Sequence, residues 1–208
     1  MGKKLIVVLL VLTPLLYFAQ SEDENNISSI IVALLHEKAS VLQNFKAEVQ
    51  LATYSEIFVQ VLTTDYKMYY SKPGYFRMDK LAGDREVLVV NGDDVLHSTN
   101  GAALTKSYNK RIAGVVNSLI SQLISASYVD DNTFAVIYSE EPRGYSVILK
   151  PKRNLLSRNI ERIELMLNKK DVSILEIKLY QSEFEYFIYS FTSVDYNSEI
   201  DLKIFSVL

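Results

Sequence analysis

The sequence predicts a mainly β protein with helices (α+β), and three observations lead to that fold class. From Phe45 onward, apolar residues recur at every second position in run after run, as in strands with one buried face. Polar turn signals such as Asn91-Gly92 separate these runs, which favours antiparallel pairing. In two stretches, Ile27 to Gln43 and Arg111 to Ser125, the apolar residues recur every three to four positions instead, which predicts helices.

The first residues have the features of a targeting signal. The pair Lys3-Lys4 precedes an apolar run from Leu5 to Phe18, which is shorter than the ~20 residues needed to span a bilayer. We expect a signal peptide at residues 1–20, cleaved near Ala19–Ser21. A short membrane anchor is the alternative. No linker and no internal repeat divides the rest, so residues 21–208 are expected to form a single exported domain.

Composition and charge exclude several classes of function. The chain has no Cys, so it forms neither a disulfide nor a thiolate metal site, and it offers no cysteine for an N-terminal lipid. Removing residues 1–20 takes away two lysines and no acid, which shifts the formal net charge from −3 to −5. An acidic protein neutralises phosphates poorly, so we expect no nucleic-acid partner and no charge-driven binding to anionic membranes.

Each helical stretch carries its own apolar stripe. In the first, Asn26 is a fair N-cap, and the polar residues 21–26 are expected to fray. The stripe of the second is unbroken and is the most amphipathic in the chain. Because this second helix lies in the middle of a β protein, it must cover a sheet face or an opening. Its stripe comprises Ile112, Val115, Val116, Leu119, Ile120, Leu123 and Ile124.

Strand-like runs fill most of the remaining chain. The bend Lys72-Pro73-Gly74 separates two of them, because Pro73 removes a backbone donor and Gly74 permits a tight turn. A last run, Ile200 to Phe205, is either a short strand or a tail. The other predicted strands are Phe45–Leu51, Glu56–Tyr70, Tyr75–Lys80, Val87–Val90, Val95–His97, Thr133–Tyr138, Tyr145–Lys150, Ile160–Leu167, Ile174–Tyr180 and Phe184–Ser193.

The sequence contains no recognisable catalytic or metal-binding motif. His36-Glu37 begins an H-E-x-x-H pattern, but Ser40 stands where the second histidine is needed. We expect His36 to be solvated and His97 to be partly buried by packing. Adjacent acidic pairs such as Asp93-Asp94 point to opposite faces of a strand, which favours solvated turns over a calcium site. We therefore expect a binding protein rather than an enzyme, with no metal and no cofactor.

Six motifs follow one another in a characteristic order: Phe45–Gln50, Lys72–Met78, Leu88–Gly92, Tyr145–Lys152, Ile160–Leu167 and a closing run with Phe191, Val194, Asn197, Ile200, Asp201 and Phe205. In their order and spacing, they resemble the periplasmic outer-membrane lipoprotein carrier (LolA) family over nearly the whole mature length. The resemblance implies an open antiparallel β-barrel of about eleven strands, with an N-terminal helix and a central helical lid over its mouth.

The resemblance also implies a function and partners. Family members are periplasmic chaperones that bind the acyl chains of lipoproteins released by an inner-membrane ABC exporter and carry them to the outer membrane. A monomer is expected, and an outer-membrane receptor is left open. Two alternatives remain: a periplasmic lipid-binding sensor module of the same fold, and a protein that handles or hydrolyses glycolipids.

Candidate roles for individual residues follow from the same resemblance. Phe76 and Met78 alternate with Tyr75 and Arg77 on one strand, so they share a face that we expect to line the cavity. Lys72 is the expected latch between barrel and lid, at a position where the family commonly has arginine. The expected cavity residues are Phe76, Met78, Leu88, Val90, Val147 and Leu149, and the expected lid residues are Val116, Leu119, Ile120 and Leu123.

Overall fold

One antiparallel sheet contains all eleven strands that the computed structural model describes. The structure describes residues 13–56, 61–92, 94–106, 119, 122–129, 132–152 and 158–206, with side chains described from residue 26 onward. The strands are β1 (Asn44–Ser55), β2 (Leu62–Ser71), β3 (Tyr75–Lys80), β4 (Glu86–Asn91), β5 (Asp94–Thr99), β6 (Thr105–Lys106), β7 (Phe134–Glu141), β8 (Gly144–Pro151), β9 (Arg162–Leu167), β10 (Ile174–Ser182) and β11 (Glu185–Tyr196).

The order of the strands makes the sheet an open barrel. Their spatial order is β6-β5-β4-β3-β2-β1-β11-β10-β9-β8-β7, so β1 lies in the centre and pairs with the last strand of the chain. Within the described part of the chain, the end strands β6 and β7 do not pair with each other. The predicted fold class and the number of strands are therefore confirmed.

The N-terminal helix α1 (Thr13–Val41) is longer than the sequence pattern predicts. The prediction that the helix starts after an N-cap at Asn26, preceded by a frayed segment, is wrong. No Gly or Pro interrupts residues 15–41, and Pro14 lies in the first turn, where a missing N–H is tolerated. Among the described residues, no helix combines the length and the apolar character needed to cross a membrane.

The C-terminal segment is neither a strand nor a loose tail. Residues Leu202–Phe205 form a 3₁₀ helix, and the carboxylate of Asp201 caps it by accepting a hydrogen bond from the Lys203 N–H at 3.0 Å. Phe205 and Ile200 are buried against Val89 on the outer face of the sheet. The segment predicted to be a short strand or a tail is thus a short capped helix on the outside of the barrel.

The inner face of the sheet carries two buried clusters. The first, called the filled cluster here, joins strands β7 to β10 to α1 and contains Ile31, Leu35, Leu119, Leu123, Ala126, Tyr128, Phe134, Val147, Leu149, Ile163, Leu165, Leu167, Val172, Ile174 and Ile177. The second, called the cavity cluster, joins β1 to β4 to residues outside these strands and contains Leu42, Phe45, Ala47, Val49, Met68, Tyr70, Phe76, Val90 and Ile124.

One strand boundary differs from the expectation. The run predicted from Glu56 to Tyr70 becomes β2, which starts at Leu62. Glu56 lies in a turn, and its backbone N–H donates to the Phe184 carbonyl at 3.1 Å. Residues 57–60 lie outside the described part of the chain.

Candidate functional site

An apolar cavity of about 240 Å³ lies inside the barrel, where the filled cluster and the cavity cluster meet. Its walls come from β2, β3, β10, β11 and the helical residues near position 120. The residues that line it are Met68, Phe76, Met78, Leu119, Leu123, Ile124, Ile160, Ile177, Leu179, Tyr189 and Phe191. No charged side chain is among these described residues, so the cavity suits an apolar ligand.

The β2–β3 hairpin builds one wall of the cavity. Met68 and Met78 are direct partners across the two strands, and Phe76 lies two residues before Met78 on the same face. The alternate residues face outward, where Tyr75 stacks on Phe205 at 5.6 Å between ring centroids. Arg77 donates from Nη1 to the Ile204 carbonyl at 2.8 Å. The outer contacts hold the hairpin so that Phe76 and Met78 face the cavity.

The expected lid supplies the opposite wall. Residues 119 and 122–125 are helical, and Leu119, Leu123 and Ile124 are all buried against the cavity. The helix ends at Ala126, whose φ of +56° is left-handed, and Tyr128 then anchors the chain in the filled cluster. The other two expected lid residues, Val116 and Ile120, lie outside the described residues.

Four of the expected cavity residues do not line the cavity. Val90 is buried in the cavity cluster opposite Phe76, and Leu88 packs beside it opposite Met78. Val147 and Leu149 are fully buried inside the filled cluster, where α1 and Tyr128 cover that half of the sheet.

Lys72 does not hold the expected partner in the described structure. Its Nζ donates to the carbonyl of Ala39 at 2.9 Å, and Ala39 lies in the last turn of α1. Asn197 supports the same helix end, since its Nδ2 donates to the Val41 carbonyl at 3.0 Å and its Oδ1 accepts from the Gln43 N–H at 2.6 Å. Lys72 and Asn197 therefore satisfy carbonyls that a helix leaves without internal partners.

Residues 49–207 match the family described as outer membrane lipoprotein carrier protein LolA. The chain belongs to the LolA family. Among solved structures, it is similar to an uncharacterized conserved protein from Thermus thermophilus, with a TM-score of 0.51, 11% sequence identity, and coverage of 86% of this chain and 92% of that one. This similarity concerns the fold alone. No curated protein matches the sequence.

Two further structures are similar with lower scores. A LolA superfamily protein from Nitrosomonas europaea gives a TM-score of 0.47 at 10% identity, covering 84% of this chain and 96% of that chain. The complex of Pseudomonas aeruginosa MucA/MucB gives 0.43 at 14% identity, covering 85% of this chain and 60% of that chain.

The LolA-family cavity has one polar margin. Burial raises the pKa of Tyr189, and the nearby phenol of Tyr66 raises it further. Burial also raises the pKa of Tyr66, while the charge of Lys80 beside it acts in the opposite direction. Both phenols are therefore protonated at neutral pH and can donate hydrogen bonds.

Neither histidine belongs to this LolA-family site. His36 is exposed on α1, as predicted. His97 is also exposed, so the prediction of a partly buried packing role is wrong. His97 lies on β5 opposite Leu88. Among the described strands, only β6 lies between β5 and the edge of the sheet, and its two residues are too few to cover His97. Among the described residues, no group of three His, Asp or Glu side chains is placed to hold a metal ion.

Several cavity residues were not predicted, and the pattern that marks them is visible in the sequence. Met68 is in phase with the apolar alternation of β2, and its register against Met78 follows from the tight turn between the strands. Ile177 and Tyr189 are cross-strand partners on β10 and β11. Their alternation shows which face they share, but only the position of the covering helical residues separates residues at the cavity from residues in a filled core.

Proposed function

We propose that this LolA-family chain is a periplasmic carrier that holds the acyl chains of lipoproteins in its cavity and moves them from the inner to the outer membrane. The observation that carries the proposal is the described lining of the cavity, which is apolar or aromatic on every side and is roofed by helical residues. The expected donor is an inner-membrane ABC lipoprotein exporter. The proposal needs no cofactor and no catalysis.

The chemistry of the lining supports an acyl chain as the ligand. Each CH₂ group that leaves water for such a surface contributes about 0.8 kcal/mol. Met68 and Met78 face each other across the wall, and unbranched thioether side chains adapt to ligands of different shape. A flexible, unbranched and variable ligand such as a fatty acyl chain fits this wall better than a rigid ring.

The size of the cavity implies that the lid moves when ligand binds. Sites for small molecules usually enclose about 300–1,000 Å³, whereas this one encloses about 240 Å³. Leu119, Leu123 and Ile124 are the side chains that would be displaced. Each contributes about 1.5–3 kcal/mol of burial, which a bound acyl chain replaces with its own apolar surface.

A photo-crosslinking experiment in cells tests the carrier role. A crosslinking residue at position 76 faces the cavity, whereas one at position 75 faces outward against Phe205. We expect capture of lipoproteins at 76 and little at 75. Capture of free lipids without lipoproteins at 76 would favour the sensor or glycolipid alternative, and equal capture at both positions would contradict the cavity as the binding site.

The lid is tested by placing a charge on it. Leu123→Glu puts a carboxylate against the apolar cavity, so we expect binding of a fluorescent fatty-acid analogue to weaken by about tenfold or more. Ser127→Glu is the matched control, because Ser127 is exposed just beyond the helix. Unchanged binding by a folded Leu123→Glu variant would show that the segment is not a lid.

Export is part of the proposal and has its own measurement. We infer that residues 1–20 are a signal peptide removed on export and that residues 21–208 form the single mature domain. N-terminal sequencing of protein from the periplasmic fraction should start near Ser21. Intact residues 1–20 in membrane-associated protein would support an anchor instead.

A further inference from the structure

We propose that the cavity recognises the carbonyl group at one end of its ligand, because the hydroxyls of Tyr189 and Tyr66 donate hydrogen bonds to the carbonyl oxygen. This inference rests on the proposed function, since it takes an acyl chain as the ligand. The chemical class it specifies is a fatty acyl ester or amide, as opposed to a plain hydrocarbon chain or a free carboxylate.

The two phenols flank the same stretch of the central strand. Tyr189 lines the cavity and is the cross-strand partner of Leu51, whereas Tyr66 is the partner of Val49 from the other side of β1. Tyr66 is two residues from the cavity residue Met68, so it lies on the same face of β2. The Tyr189 phenol therefore lies in a lining that is otherwise apolar, and Tyr66 is close enough for its phenol to raise the pKa of Tyr189.

The hydroxyl of Tyr189 is available to a ligand in the cavity. Tyr189 is the one residue with a hydrogen-bonding side chain in the described lining. Within the described structure, neither Tyr189 nor Tyr66 makes a side-chain hydrogen bond, and neither oxygen is enclosed without a partner. A polar group beside an apolar cavity ordinarily has a partner, so a ligand or water is expected to supply it.

The charges near Tyr66 favour a neutral acceptor. Lys80 is the cross-strand partner of Tyr66, and its Nζ lies 3.4 Å from Oε1 of Glu86. The ammonium is thus already neutralised by a carboxylate, which leaves no net positive charge in this described pair to attract an ionised fatty acid. Phenolic O–H donors beside a balanced ion pair suit a carbonyl oxygen of an ester or amide.

A pair of ligands that differ only in the carbonyl tests this inference. Purified mature protein is loaded with a fluorescent fatty-acid analogue, which is displaced by methyl tetradecanoate or by tetradecyl methyl ether. One added hydrogen bond predicts that the ester binds about fivefold to tenfold more tightly than the ether. Tyr189→Phe should remove most of that preference, which is measured within each protein as the ratio of its affinities for the ester and the ether.

The outcomes separate this inference from the proposed function. The matched control is Tyr186→Phe. Tyr186 is not among the described residues that line the cavity, and its ring stacks on Tyr54 with 4.7 Å between the ring centroids. Equal affinity of wild type for ester and ether, or an ester preference that survives in both Tyr189→Phe and Tyr66→Phe, would overturn the inference while acyl binding stands. Failure of both ligands to displace the probe would count against acyl binding itself. Tighter binding of tetradecanoate than of its methyl ester would contradict the choice of a neutral carbonyl.

Discussion

The two halves of the inner face have the same strand geometry but bury their side chains in different ways. In the filled cluster, Leu149 and Ile163 lie fully enclosed under α1. In the cavity cluster, the paired Met68 and Met78 border open space instead. The filled half is rich in branched aliphatic residues, whereas the cavity wall formed by β2 and β3 carries Met68, Phe76 and Met78. We therefore expect the enclosed residues of the filled cluster to contribute most to stability, whereas the space beside Met68 and Met78 is the proposed ligand site.

The largest expected difference between the halves is in stability. Leu149→Ala removes a fully enclosed side chain and should lower the free energy of unfolding by about 2–5 kcal/mol. Met78→Ala borders an existing cavity, so we expect it to cost less than about 2 kcal/mol. Urea denaturation of both variants measures the difference. Equal losses would mean that the two halves are packed alike.

Ligand affinity should show the opposite pattern. Leu179→Trp extends a lining residue into the cavity and should weaken binding of a fluorescent fatty-acid analogue by about tenfold or more. Its control is Leu165→Phe in the filled cluster, which should cost about 1–3 kcal/mol of stability through overpacking but leave affinity within about twofold. Weaker binding by the control alone would place the ligand in the other half.

Replacing Lys72 should change hydrogen exchange at the end of α1 but not in the helical residues 122–125 that cover the cavity. Lys72→Leu removes the hydrogen bond to Ala39 at the end of α1, a loss of about 0.5–1.5 kcal/mol. We expect faster hydrogen exchange of the Leu42 amide, which bonds the Lys38 carbonyl at 3.1 Å, and unchanged exchange in residues 122–125.

Lys67→Leu is the matched control for that experiment, because Lys67 is a half-exposed lysine on β2 whose Nζ lies 3.8 Å from Oε1 of Glu48 rather than at the end of α1. Faster exchange in residues 122–125 with Lys72→Leu would restore the latch between barrel and lid that the family resemblance implies. No change at either segment would remove Lys72 from both roles.

The smallest expected effect is a pH dependence at the end of α1, where Lys38 lies. Burial lowers the pKa of Lys38 to about 8, although the charge of Asp171 raises it. Lys38 Nζ donates to the Asp171 carbonyl at 3.2 Å and lies 3.8 Å from the Tyr196 ring centroid. Burial raises the pKa of Tyr196 to about 12. Between pH 8 and about 10.4 the folded state holds fewer protons on Lys38 than the unfolded state does, so stability rises with pH.

Lys38→Met should remove this dependence. Since wild type gains stability with rising pH and the variant does not, the free energy of unfolding of the variant relative to wild type should fall over that range. The slope should be only about a few tenths of a kcal/mol per pH unit, because Lys38 is partly solvated. Denaturation of both proteins across this range measures it, and the tyrosines common to both cancel in the difference. A difference independent of pH would show that Lys38 is not desolvated.

Much of the fold follows from local patterns in the sequence. The strand Tyr75–Lys80 was predicted with its observed limits, because alternation and the turn at Lys72-Pro73-Gly74 both act locally. The start of α1 does not follow from such a pattern, because the composition of residues 1–20 is typical of a targeting signal, whereas the helix begins within these residues. The 3₁₀ helix at Leu202–Phe205 depends on burial of Phe205 against a distant part of the sheet.

The site was harder to predict than the fold. Phe76, Met78, Leu119 and Leu123 were expected at the cavity or its lid and lie there. Val147 and Leu149 have the same alternation, yet α1 and Tyr128 fill the space above them. Alternation defines which face of a strand is buried, whereas a cavity depends on which long-range covering lies over that face. No pattern within a single strand contains this information.

The central claim is that the acyl chain enters the cavity half, and distance-dependent fluorescence quenching tests it most directly. The chain has no cysteine, so Met78→Cys and Lys67→Cys each give a single labelling site, one inside the cavity and one on the outer face. With a bimane label at either position, a nitroxide-labelled fatty acid should quench the label at 78 strongly and the label at 67 weakly. Equal quenching at both positions, or stronger quenching at 67, would contradict the claim.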